Sequence, residues 1–194
     1  YAHNEKRRQK DTPTEFSKTP KSKEGSNLTY STYYHGSGER VNGIDEDYGF
    51  MGGIFVSDEN SAGGHGDIMH EVDIPDGKIT TVQSLRNDAD PSDIIKKETG
   101  LKTKEQIDLV ADMMSDDSLK NELVREQENF DYTDGSEPRL DLISDWIRGL
   151  DRDVGWELQR LSGVFVKSEG YWAVELEDEH GTSYLVVDSR AKIR

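Results

Sequence analysis

Three short runs of this sequence hold residues able to do chemistry on a ligand. Tyr33-Tyr34-His35-Gly36-Ser37-Gly38 puts an imidazole at the end of an aromatic, β-branched stretch and follows it with glycines. A strand end of this kind leaves a notch where a ligand reaches backbone N–H groups with no Cβ in the way. Gly52-Gly53-Ile54-Phe55-Val56-Ser57-Asp58 leads an aromatic in on two glycines, which suits a ring face offered to a planar ligand. Ser61-Ala62-Gly63-Gly64-His65 follows it and can set a second ring across the same cleft. Near the C-terminus, Glu175, Glu177, Asp178 and Glu179 gather carboxylates beside a turn that leads into Ser183-Tyr184. Taken singly, each run has a plainer reading: a surface histidine, a core strand, a solvated hairpin.

The elements that must hold these residues follow from periodicity. Residues 28–34 and 54–57 read as strands, residues 69–74 alternate as a strand, and residues 78–82 suggest a further one. Residues 91–131 turn helical. Ser92 is expected to cap a short helix over 94–98. Thr103 and Gln106 form a capping box ahead of Ile107, Val110, Ala111 and Met114, and the following helix turns Leu119 and Leu123 inward. Pro138 suits the first position of a helix over 140–150. Residues 153–168 form an amphipathic helix with Val154, Leu158, Leu161 and Phe165 inward, and residues 171–177 and 183–188 form a hairpin. Strands at both ends with helices between them predict an α+β domain over 29–194, with a helical insert at about 85–150. Residues 1–28 carry Lys6, Arg7, Arg8 and Lys10 with two prolines and little apolar area, which predicts a disordered basic tail or linker.

Composition removes whole classes of function. The chain has no cysteine, so it has no disulfide, thiolate nucleophile or Cys-ligated zinc. No metal site is assigned: Asp45-Glu46-Asp47 and Asp116-Asp117 lack the spacing of a calcium loop. His35-Gly36-Ser37-Gly38 could be an oxyanion loop, but there is no Gly-x-Ser-x-Gly elbow for a serine hydrolase. No apolar run reaches the length of a membrane span, and no signal peptide is visible, so a soluble protein with no membrane partner is expected. A formal charge of -16 repels phosphates, so no nucleic-acid partner is expected. The acidity itself suits salt adaptation, an ordinary acidic protein or a polyanion-mimicking surface. The chain starts at Tyr1 rather than Met, which points to a processed product or a piece joined to a larger upstream polypeptide.

Taken in order, the three runs resemble the ADP-ribosyltransferase superfamily. The likeness is to its diphtheria-toxin/poly-ADP-ribose-polymerase branch and to the divergent members carried by phages and mobile elements. It covers about residues 30–82 and 153–194, and it implies a split β-sheet with NAD as substrate. Tyr34-His35-Gly36 matches the first motif, in which the histidine binds a ribose hydroxyl and the glycine backbone bonds the nicotinamide carboxamide. Gly53-Ile54-Phe55-Val56-Ser57-Asp58 matches the second, with Phe55 at the stacking tyrosine; Ser37, Ser57 and His65 complete the implied NAD-binding set. Ser183-Tyr184-Leu185-Val186 matches the third, but Ser183 stands where the family has a glutamate. That glutamate stabilises positive charge on the ribose as nicotinamide leaves. A serine can bond the hydroxyl and supplies no charge, so Glu177 or Glu179 is expected to bring the acid. The implied catalytic set is His35, Phe55, Glu177, Glu179 and Ser183, and the implied acceptor is a macromolecule, a protein before others. The alternative is a catalytically inactive acidic interaction module, or one associated with a virion. A virion or a host cytoplasm is the setting that the resemblance implies.

Overall fold

A computed structural model describes residues 28–44, 51–129, 139–178 and 181–194. The tail expected over 1–28 lies outside them apart from Leu28. Two sheets form the frame. The first has the order β1 (Tyr30–Ser37), β3 (Ile68–Pro75), β7 (Lys192–Ile193), all antiparallel. The second has the order β2 (Ile54–Val56), β6 (Gly181–Val186), β5 (Ala173–Asp178), β4 (Ile79–Thr80), with only β4 and β5 parallel. The sheets touch where Tyr34 and Ser57 exchange backbone hydrogen bonds, each 2.9 Å long. This is the split sheet expected of the α+β fold.

Helices fill the interval between β4 and β5. They are α2 (Val82–Leu85), α3 (Ser92–Thr99), α4 (Lys104–Ser115), α5 (Asp117–Asn129), α6 (Ser144–Gly149) and α7 (Val154–Ser168). A single turn, α1 (Glu59–Ala62), follows β2. Alternation along the strands sorts the apolar residues into two cores. Ile54, Val56, Val72, Ile74, Ala173 and Val186 fill the space between the sheets. Leu185, Val174, Leu161, Phe165, Val110 and Met113 join the other face of the second sheet to α7 and the helical layer.

The capping box at Thr103 and Gln106 forms as predicted, and Leu158, Leu161 and Phe165 of α7 are buried. Three local expectations differ. The strand over 78–82 shrinks to Ile79–Thr80, because Thr81 turns out to cap α2 through the Ser84 N–H. Ser92 lies inside α3 rather than before it, and bonds the Asp90 carboxylate through both its N–H and its hydroxyl. The helix over 140–150 opens as a tight 3-10 turn at Arg139–Ile143 and is regular only from Ser144.

Candidate active site

Where the two sheets diverge, a cavity of about 680 Å³ opens between the ends of β1 and β2, the turn after α1, the first turns of α7, and β6. That volume is within the range of small-molecule and cofactor clefts. Tyr34, His35, Gly36, Phe55, Ser57, His65 and Ser183 all line it. These residues come from three separate stretches of sequence.

Close backbone approach explains two of the glycines. A Cβ on Gly36 would stand 2.0 Å from the Ala62 carbonyl oxygen, and one on Gly53 would stand 2.2 Å from that of Val186. Only glycine lets α1 close over β1 and β2 close on β6.

His35 is half-buried, and its Nδ1 lies 2.7 Å from the Phe55 carbonyl oxygen. A carbonyl only accepts, so Nδ1 carries the proton and Nε2 keeps its lone pair. Burial pushes the His35 pKa below its ordinary value; the neighbouring His70 and His65 add to this, and the Phe55 carbonyl opposes it. The ring is therefore neutral at pH 7. His70, its partner across β1 and β3, is buried, accepts from the Val41 N–H at 3.3 Å and sits 6.1 Å from His35 between ring centroids. Phe55 meets Trp156 edge to face, with centroids 6.1 Å apart and planes at 86°. Together these two rings form one aromatic wall of the cleft.

Ser183 is buried, and its hydroxyl has no hydrogen-bond partner among the described residues. A buried hydroxyl without a partner costs roughly 1–3 kcal/mol. Two other expected residues are placed differently. Ser37 does not line the cavity: its hydroxyl donates to the Glu39 carbonyl and lies 3.2 Å from His70 Nε2. Glu177 pairs across the hairpin with Thr182, not with Ser183, and its carboxylate accepts from the Thr182 hydroxyl at 2.9 Å. Successive residues of a strand point to opposite faces, so Glu177 is turned from the face that Ser183 presents. It lines a second cavity of about 360 Å³, which meets the first at Gly155 and Gln159. Glu179 lies outside the described residues.

Sequence reasoning missed the contribution of α7. Asp153, Gly155, Trp156 and Gln159 form one wall of the cleft. The available signal was Trp156, a large aromatic off the apolar stripe of that helix and 49% exposed. Among the described residues, no group of three or more His, Asp or Glu side chains is arranged to hold a metal.

A split pair of sheets with a His-Gly strand end and an aromatic wall in the gap is the arrangement of an ADP-ribosyltransferase fold. The family model of the anti-CRISPR Type I-F ADP-ribosyltransferase AcrIF11 matches residues 32–194, and the chain belongs to that family. It is an ADP-ribosyltransferase of the divergent type that the sequence resembled. A solved structure described as "Crystal structure of an anti-CRISPR protein" has a similar fold. Its TM-score is 0.55 at 22% identity, over 87% of this chain and 98% of that one. The comparison with curated proteins returned no match.

Proposed function

We propose that the cleft binds NAD and transfers its ADP-ribose to a protein of a Type I-F CRISPR system, as a phage-borne effector that disarms that system. The acceptor class is inferred from the description of the family. The observation that carries the NAD reading is the 2.7 Å bond from His35 to the Phe55 carbonyl. It holds the imidazole and the stacking ring in one rigid unit, with an Nε2 lone pair free to accept from a ribose hydroxyl. Phe55 offers a ring face to the nicotinamide, with Trp156 packed edge to face beside it, and the backbone at Gly36 offers its peptide groups to the carboxamide. Stacking holds the nicotinamide ribose bond in a fixed direction while the acceptor approaches from the open side of the cleft, which is positional catalysis.

NAD tagged on its adenine, incubated with the protein and a purified Type I-F surveillance complex, is expected to label a protein subunit. His35→Ala abolishes the label. Phe55→Ala lowers turnover by roughly tenfold to a hundredfold, the scale of losing one aromatic stack, while Phe55→Tyr retains it. Absence of NAD binding at millimolar concentration sinks this reading. If the complex were still inhibited, the protein would be acting as an interaction module.

A further inference from the structure

The second cavity, of about 360 Å³, lies beside the first, and Gly155 and Gln159 of α7 line both. Its floor is apolar: Val82, Met114 and Leu158 are buried there, and Leu176 packs on the same core. Its rim is acidic. Among the described residues that line it there are four carboxylates against the single ammonium of Lys120. Two of them, Asp116 and Asp117, stand at the junction of α4 and α5. Lys120 is spoken for by Asp117, and its side chain is only 18% exposed. Asp116 caps the Leu119 N–H at 3.0 Å, a contact that leaves its charge in place. An apolar floor below an acidic rim complements a lysine or arginine, whose methylene stem is buried while its charged head stays at the surface.

The independent observation is the edge of the second sheet. β4 pairs only with Ala173 and Val174 of β5. Beyond them, among the described residues, β5 from Glu175 to Asp178 has β6 on one side and no strand on the other. Glu175, Leu176 and Glu177 border the cavity along this open edge. The unpaired backbone groups of a strand edge take an extended peptide as an added strand. The edge therefore calls for a polypeptide, and the cavity calls for a basic residue within it. The same carboxylates repel a nucleic-acid backbone.

We infer that the second cavity seats a basic, extended segment of the acceptor protein: one cationic side chain enters it while a neighbouring residue of the segment reaches the first cavity. The inference rests on the reading of the first cavity as the place where ADP-ribose passes from NAD to a protein. Complexes that recognise nucleic acid through a guide hold it in positively charged channels, so basic segments are what such a partner presents.

The test follows transfer from NAD tagged on its adenine to a purified Type I-F surveillance complex, with NAD affinity measured separately by calorimetry on each chain. Asp116→Asn combined with Asp117→Asn removes two rim charges and keeps a side-chain oxygen for the Leu119 N–H. Ser118→Trp keeps the charges and puts a bulky ring on the lining of the cavity; it carries the test should the double variant fold poorly. Both are expected to bind NAD as the native chain does, and to label the complex with a KM for the acceptor about tenfold higher and a kcat little changed, the pattern of a lost docking contact. Raising the salt from about 0.05 M to about 0.5 M is expected to raise the KM of the native chain and of Ser118→Trp severalfold, and that of the double variant much less. A folded, NAD-binding double variant with the native KM and salt dependence overturns the inference and leaves the NAD site standing, as does a folded Ser118→Trp variant with the native KM. Label found on the nucleic acid of the complex instead of on a protein also overturns it, because the open edge would then have no peptide to pair with. If the native chain fails to bind NAD, the NAD reading falls, and this one falls with it.

Discussion

His35 is neutral because it is buried, and that has a measurable consequence in both binding and stability. In an unfolded chain a histidine takes up its proton near pH 6.5; in the fold the value is lower. The unfolded state therefore binds more protons between those two values. The contribution of His35 to stability is full above about 6.5 and is lost as pH falls from there through the folded value. The Nε2 lone pair follows the folded value alone. A pH titration of NAD binding is thus expected to stay flat from pH 8 to about 6.5 and to lose affinity only below it. A midpoint above 6.5 would show that the ring is not held neutral. At this scale the sequence was readable wherever a residue type has one use. His35-Gly36 and Gly53-Ile54-Phe55 stood out through their order along the chain and the family resemblance it carries, not singly. Which hairpin residue lies opposite Ser183 was not readable, because it depends on register. That register places Leu176 there, and Glu177 opposite Thr182.

The helix α7 is read differently by its two sides. Its apolar stripe was legible from spacing, and it packs on β5 and β6. Its other residues look like ordinary polar surface in sequence, yet they divide between a wall of the cleft and an ion-pair network. Glu157, with 6% of its side chain exposed, is gripped by Arg160 through Nη2 at 2.8 Å and Nε at 3.1 Å, and lies 3.4 Å from Arg152. Arg160 also reaches Glu98 of α3 at 2.9 Å. These carboxylates hold the Arg160 guanidinium above its ordinary pKa. The network fixes α7 against the helical layer and so sets where Asp153, Trp156 and Gln159 stand. Removing one partner of a buried pair leaves the other uncompensated, at a cost of about 3 kcal/mol. Glu157→Gln is therefore expected to lower the melting temperature by on the order of 10 °C in calorimetry. An unchanged melting temperature would mean that the pair is no stronger than a surface one. Pattern alone could not locate this network, since its partners are 62 residues apart and its signal is only charge.

Across the whole molecule, the chain carries a net charge of -16. Among the described residues, most ion pairs have at least one exposed partner, and pairs open to solvent contribute little individually. Self-repulsion of the carboxylates is then the larger electrostatic effect. Raising the ionic strength from about 0.02 M to about 0.5 M, where the screening length falls below the spacing of surface charges, is expected to raise the melting temperature. A fall would show that the ion pairs outweigh the repulsion. The α+β class and the order of elements were legible because strands and helices occupy separate stretches of the chain. The pairing of those strands into two sheets was not, since it depends on contacts between the chain's two ends. Among the described residues, one rung couples the two sheets, the paired backbone bonds of Tyr34 and Ser57. Those peptide units belong to both halves of the cleft at once, and each adjoins a motif residue or the strand that carries one. Local opening there would release the His-Gly strand end and the Phe55 strand in the same event. Protection of those two amides against exchange with solvent is thus a direct gauge of how often the two halves part company.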